Sequence, residues 1–121
     1  MDNESILNSV KKMLGLDTNY HDFDLDIIIH INSVISILLQ MGVIKKSIFV
    51  SDETETWSLI IGDRDDMEMI KSYVYLKVKS SFDPPTGGAA EACNNLIKEY
   101  EWRLYSLTNF GEERQSNEVS D

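Results

Sequence analysis

The sequence is poor in cysteine, and its basic residues are outnumbered two to one by acidic residues. A single cysteine, Cys93, excludes an internal disulfide and any zinc site built from several thiolates. The 11 lysine and arginine residues against 21 aspartate and glutamate residues give a formal net charge of −10. Because phosphate binding needs clustered Lys and Arg side chains, this balance argues against wrapping DNA or docking on an anionic membrane.

Long apolar runs are also missing. The most apolar stretch, residues 27–41, is interrupted by polar side chains that include His30, Asn32 and Gln40, and it predicts no membrane-spanning helix. The first residues are acidic and do not resemble a secretory signal, so we expect a cytoplasmic protein. A chain of 121 residues is long enough for one domain with a modest core.

The only two prolines are adjacent and divide the chain. Neither can lie inside a helix, because proline lacks an amide N–H and restricts the residue before it. One helix must therefore end before this pair and another must begin after it. The predicted turn, which is also a candidate hinge, consists of Asp83, Pro84, Pro85, Gly87 and Gly88.

The helix predicted after this turn, over residues 88–108, has one apolar face. Its apolar residues recur at spacings of three and four, which places them on one side of a helix: Cys93, Leu96, Ile97, Tyr100, Leu104 and Leu107. At about 100° per residue, Trp102 lies roughly opposite that seam. Because these residue types are typical of protein interfaces, we predict that Trp102, Tyr105 and Arg103 form a contact with another molecule. The alternative is that another segment of the same chain covers them.

Three more long helices are predicted before the turn. The first covers residues 3–14. The second, over residues 24–41, is apolar around more than half of its circumference, so it should be central and touch several neighbours. The third begins near Asp63 or Asp65 and runs to Phe82. It has a helical apolar face, although the composition of residues 73–78 also favours a β-strand.

Two segments fit no long helix. Residues 45–57 are predicted to form a short extended or β-like loop, leading into a short helix that contains Trp57 and ends at Gly62. Residues 111–121 have almost nothing to bury, which predicts a disordered acidic tail. The predicted fold class is mainly α: a compact bundle of about four helices in one domain over residues 1–110, followed by a flexible tail over residues 111–121.

No pattern indicates catalysis or a bound cofactor. His21 stands beside acidic residues, but such residues collect at a helix start because the helix dipole favours them. Asp26 and His30 have the spacing of an ion pair within one helix. Residues 63–66 resemble a calcium loop only superficially, and Gly87-Gly88 is too short to hold a phosphate. We therefore expect no enzyme activity, no metal and no cofactor.

Taken in order, several segments resemble the small head–tail connector proteins of long-tailed bacteriophages, also called adaptor or head-completion proteins. The resemblance extends from about Ser5 to Leu104, and it departs from the family at Gly87-Gly88, where relatives tend to have Ser or Thr. It is carried by the order and spacing of residues 5–15, 23–32, 57–58 and 73–78, then Phe82-Asp83-Pro84-Pro85 and Glu101-Trp102-Arg103-Leu104.

The resemblance implies a structural virion protein that forms a ring beneath the portal vertex and extends the DNA channel. Its implied partners are further copies of itself, in a homo-oligomeric ring for which a dodecamer on the portal is one arrangement, the portal protein, and the downstream head–tail joining or stopper protein. Genomic DNA would pass through the channel without specific binding. The implied location is the head–tail interface of the virion, after assembly in the host cytoplasm, with no membrane contact.

A rival hypothesis also explains the acidity. An acidic DNA mimic, or another inhibitory binding protein, would occupy a nucleic-acid-binding protein of the host. Mimicry predicts a regular stripe of exposed carboxylates spaced like phosphates, whereas the acidic residues of this chain gather at helix starts and in the tail.

Overall fold

A computed structural model of the chain describes residues 4–61 and 66–119, with side chains described as far as Thr108. It contains five helices, α1 (Ile6–Met13), α2 (Asp24–Gln40), α3 (Trp57–Ile61), α4 (Met67–Phe82) and α5 (Gly88–Val119). No strand is present in these described ranges. The prediction of a mainly α bundle is confirmed. The helix that is additional to the four long ones is α3, the short helix predicted around Trp57. Its predicted end at Gly62 lies outside the described residues.

Helix α1 begins at Ile6, three residues later than predicted, and ends close to its predicted C-terminus. The Oγ of Ser5 accepts a hydrogen bond from the backbone N–H of Asn8 at 3.2 Å, which caps the first turn. Lys11 and Lys12 occupy the last turn, where the negative end of the helix dipole favours cations. Gly15 follows with φ 83°, a left-handed conformation that glycine adopts without strain.

Helix α2 is central, as its broad apolar surface predicts. It packs against α1 on one side and α4 on another. Its buried residues lie on the faces covered by these neighbours: Ile27, Ile31, Val34, Ile35 and Leu38. Phe23 occupies the N-cap position without a side-chain hydrogen bond, and the neighbouring Asp24 is the first helical residue. The carboxylate of Asp24 contacts the side chains of Lys11 and His21.

Helix α4 lies between α2 and α5. It packs against both of them, whereas α2 and α5 hardly touch each other. Tyr73, Val74 and Val78 are buried on it, so the segment with β-prone composition is helical. Tertiary burial of these side chains decides the conformation, since propensity is a weak preference that packing overrides.

The segment before α3 is extended and forms only an isolated antiparallel bridge between Ser5 and Thr56. The backbone N–H of Ile6 donates to the carbonyl of Glu55 at 3.0 Å, and that of Trp57 donates to Glu4 at 3.2 Å. Asn32 on α2 holds the same segment further along, because its side-chain amide both accepts from and donates to the backbone of Val50, at 2.8 Å and 2.9 Å. The predicted extended loop over residues 45–57 is therefore present.

The proline turn separates α4 from α5. Asp83 is the C-cap of α4, Pro84 and Pro85 follow, and Gly87 has φ 62° immediately before α5 begins at Gly88. The helix after the turn is longer than predicted, since it continues past Thr108 to Val119. Glu, Arg and Gln at positions 112–115 are good helix formers, and one glycine at position 111 does not break a helix as proline does. Flexibility of residues 111–121 in solution stays a prediction, and residues 120–121 lie outside the described part.

Candidate interaction surface

Two of the three predicted interface residues, Trp102 and Tyr105, lie on the outer face of α5, and Arg103 lies at its side. Trp102 is 68% exposed and Tyr105 is 57% exposed, so more than half of each side chain is accessible to solvent. On the opposite face of the same helix, Leu104 is fully buried and Ile97 is nearly so. The helix therefore has one face fixed to the core and one face with large aromatic side chains in solvent. We call the surface formed by Lys98, Trp102 and Tyr105 the α5 outer face.

The charged residues beside Trp102 differ in their partners. Arg103 donates from Nη2 to the Oε1 of Glu99 at 2.7 Å, in an exposed pair one helical turn apart. Lys98, one turn before Trp102, has no ion-pair partner among the residues that the structure describes. The α5 outer face thus carries one uncompensated positive charge.

A hydrogen bond joins α5 to α4 immediately beside this face. The hydroxyl of Tyr73 donates to the Oε2 of Glu101 at 2.8 Å. Burial, followed by the hydrogen bond and the charge of Glu101, raises the pKa of Tyr73 well above its ordinary value. Tyr73 is therefore neutral and a donor throughout the physiological range. Because Glu101 precedes Trp102 in the chain, this contact fixes the rotation of α5 and hence the direction of its outer face.

The predicted seam of α5 is too wide. Ile97 and Leu104 are buried and Cys93 and Tyr100 are partly buried against the core, but Leu96 and Leu107 are exposed. The two leucines lie along one edge of the seam, and α4 covers a narrower stripe than the sequence spacing predicts. Their exposure adds apolar surface to α5 beyond the aromatic pair.

A second exposed apolar surface, on α2, was not predicted. Leu25 is 71% exposed and Ile29, one turn later, is also exposed, while Phe49 in the neighbouring extended segment is 73% exposed. Between α2 and residues 47–49 lies a groove of about 270 Å³, lined by Asn32, Ser33, Ile35, Ser36, Leu39, Ser47, Ile48 and Phe49. We call Leu25, Ile29, Phe49 and this groove the α2 surface. The sequence feature that could have indicated this surface is the apolar circumference of α2, which is wider than the part that α1 and α4 cover.

The histidine and acidic residues near the start of α2 form a structural cluster. The ammonium of Lys11 is buried and contacts the Oδ1 of Asp24 at 2.7 Å and the carbonyl oxygens of Thr18 and Tyr20 at 3.1 Å and 2.6 Å. The Nδ1 of His21 lies 2.8 Å from the Oδ2 of Asp24. Burial opposes ionisation of Asp24, but the hydrogen bonds and charges of Lys11 and His21 outweigh it, so the pKa of Asp24 lies below its ordinary value.

This cluster fastens the loop between α1 and α2, and His21 and Asp24 also line an open cavity of about 310 Å³ beside residues 51–54. Among the side chains that the structure describes, in residues 4–60 and 66–108, no three His, Cys, Asp or Glu residues are placed to hold a metal ion. The expected pair between Asp26 and His30 is not formed, since the described ion pairs instead join His21 to Asp24. No described helix is long and apolar enough to cross a membrane.

Comparison with known proteins decides the family. A sequence profile described as "Phage connector protein" matches residues 6–109, which is most of the chain. The chain belongs to the phage connector protein family. A search of curated proteins and a search of solved structures each found no match. The matched range includes all of α1 to α4 and the part of α5 that carries the outer face.

Membership of the connector family indicates the general role of the protein. The family is structural, and its members are virion proteins of the head–tail junction that interact with other head or tail proteins. The resemblance found in the sequence is confirmed by the profile match.

Proposed function

We propose that this connector protein assembles into a ring beneath the portal vertex of the phage head, at the head–tail interface, after folding in the host cytoplasm. There it lengthens the DNA channel and presents a surface to the next head–tail joining or stopper protein. The observation that supports this most is the α5 outer face, where Trp102 and Tyr105 are exposed on a helix fixed to the core. In a connector, such a face is suited to a subunit–subunit or subunit–portal contact.

The energetics of such a contact favour assembly. Truncation of a tryptophan buried at an interface costs about 2 kcal/mol or more, which corresponds to roughly 30-fold in affinity. A ring repeats the same contact at every subunit, so a modest loss per contact weakens the whole assembly. Because Leu104 and Ile97 already anchor α5 in the core, Trp102 is available for an intermolecular role without loss of the fold.

The net charge agrees with a position beside passing DNA. A cationic lumen would hold the phosphates through ion pairs and release of counterions. A chain with a net charge of −10 would instead let the genome slide past without specific binding. The partners in this proposal are further copies of the chain, the portal protein and the downstream joining protein.

Hydrogen bonds between acidic side chains and nearby backbone groups argue against DNA mimicry. Glu55 accepts hydrogen bonds from the backbone N–H groups of Ser51 and Asp52, each at 3.1 Å. Asp52 accepts from the backbone N–H of Thr54 at 2.7 Å. These carboxylates shape a turn of the extended segment, so they are not arranged as a row that copies the phosphate spacing of DNA.

The experiment is a reconstitution of the connector on its portal protein. Trp102→Ala should remain folded by circular dichroism and yet bind portal poorly or form incomplete rings in negative-stain images. Leu59→Ala, which also truncates an exposed apolar side chain, is the matched control and should assemble as wild type does. Normal rings with Trp102→Ala would remove the α5 outer face from assembly. Complete absence of wild-type protein from portal particles would contradict the proposed function itself.

A further inference from the structure

The two exposed apolar surfaces belong to different sides of the molecule. Helix α4 packs against α2 and against α5, whereas α2 and α5 hardly touch. The α5 outer face is turned away from α4, because Leu104 on the other side of α5 is buried. The α2 surface likewise lies outside the contacts of α2 with α1 and α4, because Leu25 and Ile29 are exposed. One subunit therefore has two unlike contact surfaces that cannot meet each other.

The α2 surface has the shape of a receptor for a large side chain. Its groove of about 270 Å³ is open, with Ile35, Leu39 and Ile48 providing apolar lining. The two hydrogen bonds between the side-chain amide of Asn32 and the backbone of Val50 hold the segment that forms one wall. Interface anchors are commonly aromatic side chains that fill such preformed pockets.

The charges on the two surfaces are complementary. Lys98 stands one turn before Trp102, and Asp26 stands between Leu25 and Ile29 in the sequence. Neither has an ion-pair partner among the described residues. Two copies that each carry a net charge of −10 repel each other, so a contact between them needs opposite charges placed locally. Lys98 on one copy facing Asp26 on the next satisfies that need.

We propose that the α5 outer face of one copy docks on the α2 surface of a second copy, with Trp102 in the groove and Lys98 near Asp26. This inference rests on the proposed ring and specifies its repeating contact. The contact is heterologous, because it joins two different surfaces, and a heterologous contact generates a closed ring when its rotation closes. Every subunit in the closed ring then has both surfaces covered.

The test is crosslinking between two single-cysteine variants in a Cys93→Ala background. Ser106→Cys places a thiol beside Trp102 on α5, and Ser36→Cys places one at the groove. A mixture of the two, treated with a short bismaleimide, should give a crosslinked heterodimer. The control replaces Ser36→Cys by Glu68→Cys, an exposed position on α4, and should give little product. Preferred linkage of Ser106→Cys to itself would show a symmetric contact and overturn the proposal.

A charge exchange tests the same contact without crosslinking. Lys98→Glu and Asp26→Lys should each weaken self-association about fivefold, because each places like charges together. The double variant should regain most of the wild-type affinity, whereas Lys12→Glu, on the exposed side of α1, should have no effect. A double variant as weak as the two single changes combined would overturn the pairing. If Trp102→Ala dissociates the assembly while changes on α2 are silent, only this inference fails. If the wild type never associates with itself, the ring also fails.

Discussion

The indole Nε1 of Trp57 donates a hydrogen bond to the Oγ of Ser9 at 2.8 Å, across 48 positions of sequence. Ser9 in turn donates to the carbonyl oxygen of Ile6 at 3.0 Å, and both Trp57 and Ser9 are buried. The bond joins the short helix α3 to α1. Among the described residues, Ser9 is the only acceptor for the buried indole N–H. It therefore contributes to the core as well as to the position of the extended segment.

We predict that Ser9→Ala destabilises the protein by about 2 kcal/mol, because it leaves a buried N–H without an acceptor. In the background of Trp57→Phe, which has no N–H, the same change should cost clearly less. The measurement is the free energy of unfolding in urea for both single variants and the double variant. Ser81→Ala, on the exposed side of α4, is the control and should change stability by less than about 0.5 kcal/mol. Additive costs would show that the bond contributes nothing specific.

The sequence was sufficient for elements whose evidence is local. The pair Lys11-Lys12 and Gly15 mark the end of α1, and the adjacent prolines mark the boundary between α4 and α5. The start of α1 at Ile6 differs from the predicted start at residue 3. Contacts such as that of Trp57 with Ser9 have no local signature, because periodicity identifies an apolar face but not the polar partner across the core.

The candidate surfaces also include one feature that the sequence predicts and others that it does not. The position of Trp102 opposite a seam followed from helical geometry alone, and its exposure agrees with that prediction. The groove on α2 could not be predicted, since it depends on where the extended segment lies and on Asn32 holding Val50. Exposure of Leu96 and Leu107 likewise depends on how much of α5 is covered by α4.

Lys11 and Asp24 should make stability depend on pH. The folded-state pKa of Asp24 is lowered, so its contribution is fully present above about pH 5 and is lost as pH falls below about pH 4. Lys11→Met removes a buried ammonium from its pair with the partly exposed carboxylate of Asp24 and should cost about 2 kcal/mol at pH 7, with a smaller cost at pH 3. Lys12→Met, at the exposed neighbouring position, should have little effect at either pH. Urea unfolding at both pH values measures this, and an equal cost of Lys11→Met at both would contradict the assignment.

Asn32 should control the order of the extended segment. Asn32→Ala removes both hydrogen bonds between this side chain and Val50, so the backbone N–H and carbonyl of Val50 lose those partners. We expect a loss of about 2 kcal/mol and faster amide hydrogen exchange at Val50. Asn95→Ala on the exposed side of α5 is the control. Unchanged exchange at Val50 would mean that the segment is held by other contacts.

The end of α5 should contribute little to the isolated subunit. Residues 111–121 contain one apolar side chain, Val119, so we predict that deleting them changes the free energy of unfolding by less than about 0.5 kcal/mol. Hydrogen exchange should show weak protection over residues 112–119 in the monomer and stronger protection once a neighbour is bound. Strong protection in the monomer would be incompatible with a flexible tail.

The most direct test of the proposed connector ring is native mass spectrometry of the purified chain together with its portal protein. The proposal predicts one dominant stoichiometry with several connector copies on each portal ring, and loss of those copies with Trp102→Ala but not with Leu59→Ala. A portal that carries no connector, or a single copy bound without neighbours, would contradict the ring.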